Sequence, residues 1–146
     1  MEIHYTSKDE SIAEELTSRF SRYAVFHPGC NQIRKLRLVS KPSKRVWPLE
    51  RWVELAKMLH KEDVPHIVLT GTGREIPFIR RIASLAGEFC HVVTDLTVPQ
   101  LAALMSKACI MVTVDTGPMH VATAVGAPVV ALFGPSSPKV TGPFAP

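Results

Sequence analysis

Short apolar runs alternate with helical segments along most of this 146-residue chain. The runs stand at residues 23–26, 65–70, 91–94, 109–114 and 127–133. The central runs are apolar or β-branched on both faces, which is typical of a parallel sheet covered by helices on each side. The pattern therefore predicts an α/β fold with a doubly wound, Rossmann-like parallel sheet and right-handed crossovers.

The segments between these runs carry apolar residues at helical spacing. Helices are predicted over residues 8–22, 47–59, 75–86, 99–107 and 120–125. The tail, residues 134–146, contains four prolines, so we predict that it has no helix. We divide the chain into a peripheral N-terminal helix and linker, residues 1–22, and a Rossmann-like domain, residues 23–146.

A strand order of 3-2-1-4-5 would place the first and fourth strands at the point where the winding of the sheet reverses. Ligands of doubly wound sheets bind at the carboxyl ends of the strands at that point. The loops that follow these two strands are His27-Pro28-Gly29 and Asp115-Thr116-Gly117, and both are rich in turn-forming residues. We therefore expect a ligand site where these loops meet.

The charge balance is mildly basic, with 17 Lys and Arg against 13 Asp and Glu. This balance fits an anionic ligand, whereas the basic loop 34–45 lacks interleaved aromatic residues, so we expect no nucleic-acid binding. No run of 18 uncharged apolar residues predicts a transmembrane helix, and the first residues do not resemble a signal peptide.

Cysteine and histidine residues are few and scattered. The three cysteines are widely spaced and cannot all pair, which indicates a reducing compartment. The six histidines show no spacing typical of a metal site, so we predict neither a metal nor a cofactor.

The segment from Asp115 to His120 has the features of an anion site. Gly117 lets a ligand approach the backbone, and Pro118 begins a helix whose first N–H groups and dipole favour negative charge. His120 lies in the first helical turn, within reach of the same anion. A side chain in place of Gly117 is expected to block the ligand and strain the turn. A simple turn capped by Asp115 or Thr116 remains the alternative.

Two further segments supply candidate ligand contacts. The loop Gly71-Thr72-Gly73 leads to Glu75, which could bind sugar or ribose hydroxyls, or could be a carboxylate favoured by the helix dipole. Arg45, just before Trp47, could neutralise phosphates, or could belong to a solvated basic loop.

Five motifs occur in a fixed order. They are Val25-Phe26-His27-Pro28-Gly29, Arg45-Val46-Trp47-Pro48, Leu69-Thr70-Gly71 with Glu75, Asp115-Thr116-Gly117-Pro118-Met119-His120 and Ala131-Leu132-Phe133-Gly134-Pro135. Together, over about residues 23–143, they resemble family 9 glycosyltransferases, the ADP-heptose:lipopolysaccharide heptosyltransferases.

The resemblance implies a GT-B fold of two Rossmann-like halves, of which this chain is similar to the C-terminal half that binds the nucleotide-sugar donor. The implied reaction transfers heptose from ADP-heptose to the lipopolysaccharide inner core, with inversion and without an obligatory metal. The implied donor-binding residues are Asp115 at the sugar or its phosphates, Thr116 and Gly117 at the diphosphate, His120 as support, Arg45 at the phosphates and Glu75 at the ribose, together with Gly29 and Gly71.

In this family the catalytic base and the acceptor site belong to the N-terminal half, so no catalytic residue is expected in this chain and the isolated chain is expected to be inactive. The implied partners are the donor, the lipopolysaccharide acceptor through the other half, and either a separate N-terminal half or a second copy. We expect His27, Arg45 and Thr116 to lie near the surface.

Two alternatives stay open. The chain could be a nucleotide or nucleotide-sugar binding module without catalysis, or a half-protein that works with a separately encoded N-terminal half. The implied location is cytoplasmic, with peripheral association with the inner membrane left open.

Overall fold

The computed structural model describes residues 3–29, 44 and 46–143. Helices and strands alternate along these residues. The helices are α1 (Ser7–Thr17), α2 (Leu49–Lys61), α3 (Ile76–Ala86), α4 (Val98–Ser106), α5 (Gly117–Ala124) and α6 (Pro138–Thr141), and a 3₁₀ turn, Gly73–Glu75, precedes α3. The strands are β1 (Tyr23–His27), β2 (His66–Gly71), β3 (Cys90–Thr94), β4 (Ile110–Val114) and β5 (Val129–Leu132).

The five strands form one parallel sheet in the order β3-β2-β1-β4-β5. In the central strand β1, Val25 is paired with Val68 of β2 on one side and with Met111 of β4 on the other. The predicted doubly wound, Rossmann-like sheet is confirmed, and so is the adjacency of the first and fourth strands. The winding reverses between β1 and β4, as this order requires.

Both faces of the central strands are buried under helices. On one face, Phe26 packs against Trp52 of α2, with ring centroids 5.4 Å apart, in a cluster that also includes residues of α3. On the other face, Val25 belongs to a cluster with residues of α1, α4 and α5. Burial on both faces explains why β1 is a continuous apolar run rather than an alternating one.

Capping residues decide where two of the helices begin. Thr6 and Asp9 form a capping box ahead of α1, in which the Thr6 N–H donates to the Asp9 carboxylate at 2.9 Å. Thr97 and Gln100 do the same ahead of α4. The helix predicted over residues 8–22 therefore begins at Ser7, and it ends at Thr17, earlier than its apolar spacing indicated.

The tail contains a short helix, α6, so the prediction that residues 134–146 have none was wrong. Pro138 occupies the first helical position, where its missing N–H is unpaired in any helix and its fixed φ suits helical geometry. The turn closes through the Gly142 N–H, which donates to the Pro138 carbonyl oxygen at 2.9 Å. Proline here begins a helix instead of preventing one.

Candidate functional site

The carboxyl ends of β1, β2 and β4 meet at one edge of the sheet. The Thr113 hydroxyl of β4 donates to the carbonyl oxygen of His27, the last residue of β1, at 3.2 Å. The Glu75 side chain, which follows β2, reaches the loop after β1, because a Cβ atom on Gly29 would collide with its carboxyl group. The ends of β1 and β4, from which the two predicted loops leave, are thus adjacent, and Glu75 is the residue in contact with the loop after β1.

His27 lies inside this edge, only 5% exposed. Its Nδ1 lies 3.0 Å from the Thr70 hydroxyl oxygen, and its Nε2 lies 3.9 Å from Glu75 Oε2. Burial lowers the pKa of His27, and the negative charge of Glu75 opposes that shift in part. The prediction that His27 lies near the surface was wrong, because its ring is enclosed between the ends of β1 and β2.

Glu75 is held from several sides. Its Oε2 accepts hydrogen bonds from the Thr72 N–H at 2.8 Å and the Thr72 hydroxyl at 3.3 Å, which together form a capping box. A Cβ atom on Gly71 would lie 3.2 Å from the Glu75 Cβ. Both Gly29 and Gly71 therefore leave the space that the Glu75 side chain occupies.

The turn between β4 and α5 is organised by two threonines. The hydroxyl oxygens of Thr113 and Thr116 lie 3.4 Å apart, and the Thr116 hydroxyl donates to the Val114 carbonyl oxygen at 3.4 Å. Thr116 is the N-cap residue of α5, yet its side chain makes no capping hydrogen bond. Among the N–H groups of this turn, a ligand could bind that of Gly117, because Pro118 has none and that of Met119 donates to the Thr116 carbonyl oxygen at 3.1 Å.

Gly117 begins α5 and is exposed. No atom lies within 4 Å of a Cβ atom built on it, and its φ is not positive. The expected strain from a side chain at this position is therefore absent, because the backbone is ordinary helix there. His120 is half-buried in the first turn of α5, the turn that the sequence predicted for it.

Asp115 is bound to the tail of the chain. Its Oδ2 accepts hydrogen bonds from the Ser136 hydroxyl at 2.6 Å and from the Thr141 hydroxyl at 3.3 Å. Neither partner was predicted from the sequence, because both lie more than 20 residues away along the chain. Nothing in the sequence indicated that the turn at Pro138 contacts Asp115.

A groove of about 190 Å³ lies beside the same turn. Its lining residues come from the loop before α2 and from the ends of β4 and β5: Lys44, Val46, Trp47, Pro48, Val114, Leu132, Phe133 and Gly134. Lys44, which was not among the predicted contacts, is the cation among the described residues that line this groove. Arg45, which it did select, lies outside the described residues.

The described residues contain no group of three or more His, Cys, Asp or Glu side chains that could hold a metal ion. Over the same part of the chain, no helix is both long and apolar enough to cross a membrane.

The doubly wound parallel sheet, with its winding reversed between β1 and β4, places the chain in the Rossmann-like class of α/β domains. A model of glycosyltransferase family 9 (heptosyltransferase) matches residues 3–146. The chain belongs to this family.

Relatives of known function support this membership. Lipopolysaccharide heptosyltransferase 2 of Salmonella typhimurium is 39% identical over 109 residues, which cover 71% of this chain and 31% of the relative. The lipopolysaccharide core heptosyltransferase of Haemophilus influenzae is 30% identical over 111 residues, with 72% and 31% covered. The chain thus spans about a third of the length of these relatives.

Solved structures show the same arrangement of elements. A family 9 glycosyl transferase from Veillonella parvula superposes with a TM-score of 0.85 at 25% identity, over 99% of this chain and 40% of that one. The ADP-heptose lps heptosyltransferase II of E. coli superposes with a TM-score of 0.79 at 27% identity, over 99% and 43%.

Proposed function

We propose that this chain is the donor-binding half of a heptosyltransferase and corresponds to the C-terminal half of a GT-B enzyme. The donor is ADP-heptose, and the acceptor is the inner core of lipopolysaccharide. Membership of family 9 supports the reaction class, and the similarity to the E. coli ADP-heptose enzyme supports the donor. The observation that carries the proposal is the uncapped N-terminus of α5 at the switch point of the sheet.

The diphosphate binds at the first turn of α5 in this proposal. The backbone N–H groups of Thr116 and Gly117 and the positive end of the helix dipole stabilise its negative charge. Gly117 offers no side chain to obstruct this approach. His120 supports the anion from the same turn, and Lys44 and Arg45 supply cations from the loop before α2.

The ribose binds on the opposite side, at Glu75. One carboxylate oxygen, Oε2, already accepts hydrogen bonds from Thr72. The other oxygen, Oε1, faces Gly29, where the absence of a side chain leaves room for it. A carboxylate in a preset position is a strong acceptor for ribose hydroxyls. The role proposed for Asp115 is to hold the α5 turn to the tail, because its carboxylate already accepts hydrogen bonds from two hydroxyl groups.

Transfer also needs a general base within hydrogen-bond reach of the acceptor hydroxyl. None of the residues proposed here has that role, so we expect the 146-residue chain to bind the donor without transferring heptose. The other half of the enzyme, in the same chain or a separate one, would supply the base and the acceptor site. The free thiols of Cys90 and Cys109 support a reducing, cytoplasmic location in this proposal.

A titration of the chain with ADP, UDP, GDP and CDP, followed by NMR, tests the proposal. Because the residues of the other half are absent from this site, we expect ADP to bind with a Kd of about 1 mM, which corresponds to a binding free energy of about 4 kcal/mol. Shifts confined to residues 115–121 and to the surroundings of Glu75 would support the placement. Shifts confined to residues 30–44, or no preference for any nucleotide, would contradict it.

A further inference from the structure

A second groove lies on the exposed sides of α2 and α3, and we call it the α2–α3 groove. It has a volume of about 560 Å³. The described residues that line it are Glu50, Val53, Glu54, Lys57, Met58 and Lys61 of α2 and Leu85 of α3. Met58 and Leu85 are 56% and 41% exposed, so the groove presents apolar side chains to solvent.

The charged residues of the groove are sorted by sign along α2. Glu50, Glu54, Lys57 and Lys61 are spaced by four, three and four residues, which places them on one line along the helix. The glutamates occupy the first half of this line and the lysines the second, over about 16 Å of helix. Like charges four residues apart repel each other, so each half is stabilised by a partner of opposite charge.

The pattern of side chains is symmetric about the middle of α2, between residues 55 and 56. Three pairs of side chains lie at equal distances from that point: Glu54 and Lys57, Val53 and Met58, and Glu50 and Lys61. A second α2 that runs antiparallel across the groove, related by a two-fold axis through that point, therefore places every glutamate opposite a lysine. It also places Val53 opposite Met58. Each of these contacts occurs twice, as a two-fold interface requires.

The charge pattern distinguishes this arrangement from others. Two parallel copies of α2 would place glutamate against glutamate and lysine against lysine, which is unfavourable. A uniformly acidic or basic partner would match one half of the groove and be repelled by the other half. A second, antiparallel copy of the chain matches both halves.

The charges of the groove are largely free to bind such a partner. Among the described residues, the ion pairs include none at Glu50, Lys57 or Lys61. Glu54 Oε2 lies 3.1 Å from a guanidinium nitrogen of Arg51, and these two side chains are 59% and 62% exposed. Water screens so exposed a pair, and Glu54 keeps an accessible carboxylate.

We propose that the α2–α3 groove binds a second copy of this chain, in a two-fold symmetric dimer with antiparallel α2 helices. Apolar contacts of Val53, Met58 and Leu85 supply most of the attraction, and the Glu–Lys pairs set the direction and register, because exposed ion pairs add little affinity. Helices α2 and α5 pack on opposite faces of the sheet, so the dimer leaves the first turn of α5 accessible.

Sedimentation equilibrium of the 146-residue chain tests the proposal. The chain is measured from about 10 to about 500 µM, because the dimer fraction depends on protomer concentration. We expect a reversible dimer with a Kd of about 100 µM, since an interface of this size is small and transient.

Two double variants place like charges opposite each other. They are Glu50→Lys with Glu54→Lys, and Lys57→Glu with Lys61→Glu. We expect each to dimerise at least about tenfold more weakly than the wild type. An equimolar mixture of the two should regain the wild-type affinity, because a helix with four lysines then faces a helix with four glutamates.

The matched control is Glu15→Lys with Glu88→Lys, which changes the net charge as the first double variant does, at exposed residues outside the groove. It should dimerise as the wild type does. Met58→Lys, at an exposed position, should also weaken the dimer at least about tenfold, and it decides the matter if a double variant does not fold.

Three results would overturn the proposal. The wild type could remain monomeric at the highest concentration, the dimer could persist in the folded double variants or in Met58→Lys, or the mixture could stay monomeric. An equal loss in the control would assign the effect to net charge and refute the groove as well. The ADP affinity of the variants should equal that of the wild type, so failure of the dimer leaves the proposed donor site standing, and failure of ADP binding leaves the dimer.

Discussion

The β1–β2 side of the candidate site is closed by its own side chains, whereas the β4–α5 side is open. On the first side, Glu75 is held by Thr72 and lies against Gly29, and His27 is buried beneath it. On the second side, Gly117 is exposed and the N-terminus of α5 lacks a side-chain cap.

The difference follows from what each side has to bury. Burying part of a carboxylate costs free energy unless hydrogen-bond donors satisfy it, and the neighbouring Thr72 supplies two donors to Glu75. A helix N-terminus at the surface can leave its N–H groups to water, and an anion can replace that water. The β1–β2 side is therefore ordered before a ligand binds, whereas the N–H groups on the β4–α5 side find hydrogen-bond acceptors only in water or in a ligand.

Gly29→Ala is expected to have the largest effect, on the closed side. The new Cβ would occupy the position of the Glu75 carboxyl group, and this flexible side chain would have to turn away. We expect ADP affinity to fall about 100-fold, while the free energy of unfolding changes by about 1 kcal/mol. Calorimetry and denaturant unfolding measure both quantities.

The matched control is Gly73→Ala, since no atom lies within 4 Å of a Cβ atom at Gly73. Its ADP affinity should equal that of the wild type. If both variants lost the same ADP affinity, the space at Gly29 would not be what positions Glu75 for binding.

Glu75→Gln is expected to have the next largest effect. It keeps the size of the Glu75 side chain and removes its charge. Glutamine can keep the capping box with Thr72, so the 3₁₀ turn and α3 should form normally. Loss of the charged acceptor should weaken ADP binding about tenfold or more. The exposed Glu62, at the end of α2, provides the control Glu62→Gln, which should bind as the wild type does. Wild-type affinity in Glu75→Gln would remove Glu75 from the ribose site.

Gly117→Val tests the open side. The protein leaves room for the new side chain, so stability should be unchanged, and a ligand approaching the first turn of α5 should meet it. We expect ADP binding to weaken about tenfold, and about twofold in Thr116→Ala, whose backbone N–H groups remain. NMR titration of both variants gives the comparison. If Thr116→Ala is the more damaging change, the threonine hydroxyl is the main contact instead of the backbone.

Asp115→Ala is expected to affect stability more than binding. It removes the acceptor for the hydroxyls of Ser136 and Thr141, which should cost about 1–2 kcal/mol in the free energy of unfolding. ADP affinity should change by about twofold or less, because the diphosphate contacts are backbone N–H groups. Ser136→Ala should reproduce part of the loss of stability. Abolished binding with full stability would instead place Asp115 at the donor.

The smallest expected effect is the pH dependence of stability that His27 causes. Burial lowers its pKa below the ordinary 6.5 in the folded protein, so the unfolded chain takes up the proton more readily. The contribution is fully present above pH 6.5 and is lost as the pH falls toward the folded-state pKa. The pKa of His91 is lowered as well, so the wild type is compared with His27→Asn by urea unfolding at several pH values. The free energy of unfolding of the variant should depend less on pH.

The order and type of the elements could be predicted from the sequence, because the periodicity of apolar residues is a local property of each segment. The tail helix could not be predicted in this way. Proline is unfavourable inside a helix but favourable at its first position, so Pro138 by itself does not indicate which of the two applies. The end of α1 at Thr17 could not be predicted from the apolar spacing either, because that spacing continues to Phe20.

The site divides in the same way. The sequence alone determined which loops leave the carboxyl ends of the strands, because those ends lie at one edge of a parallel sheet, whereas the order 3-2-1-4-5 was assumed and the structure established it. It could not decide which side chains are buried there or which groups they contact. Asp115 accepts hydrogen bonds from Ser136 and Thr141, and His27 lies inside the edge beside Glu75; both are long-range contacts. They exist because the packed sheet brings distant segments together, and only the tertiary structure decides them.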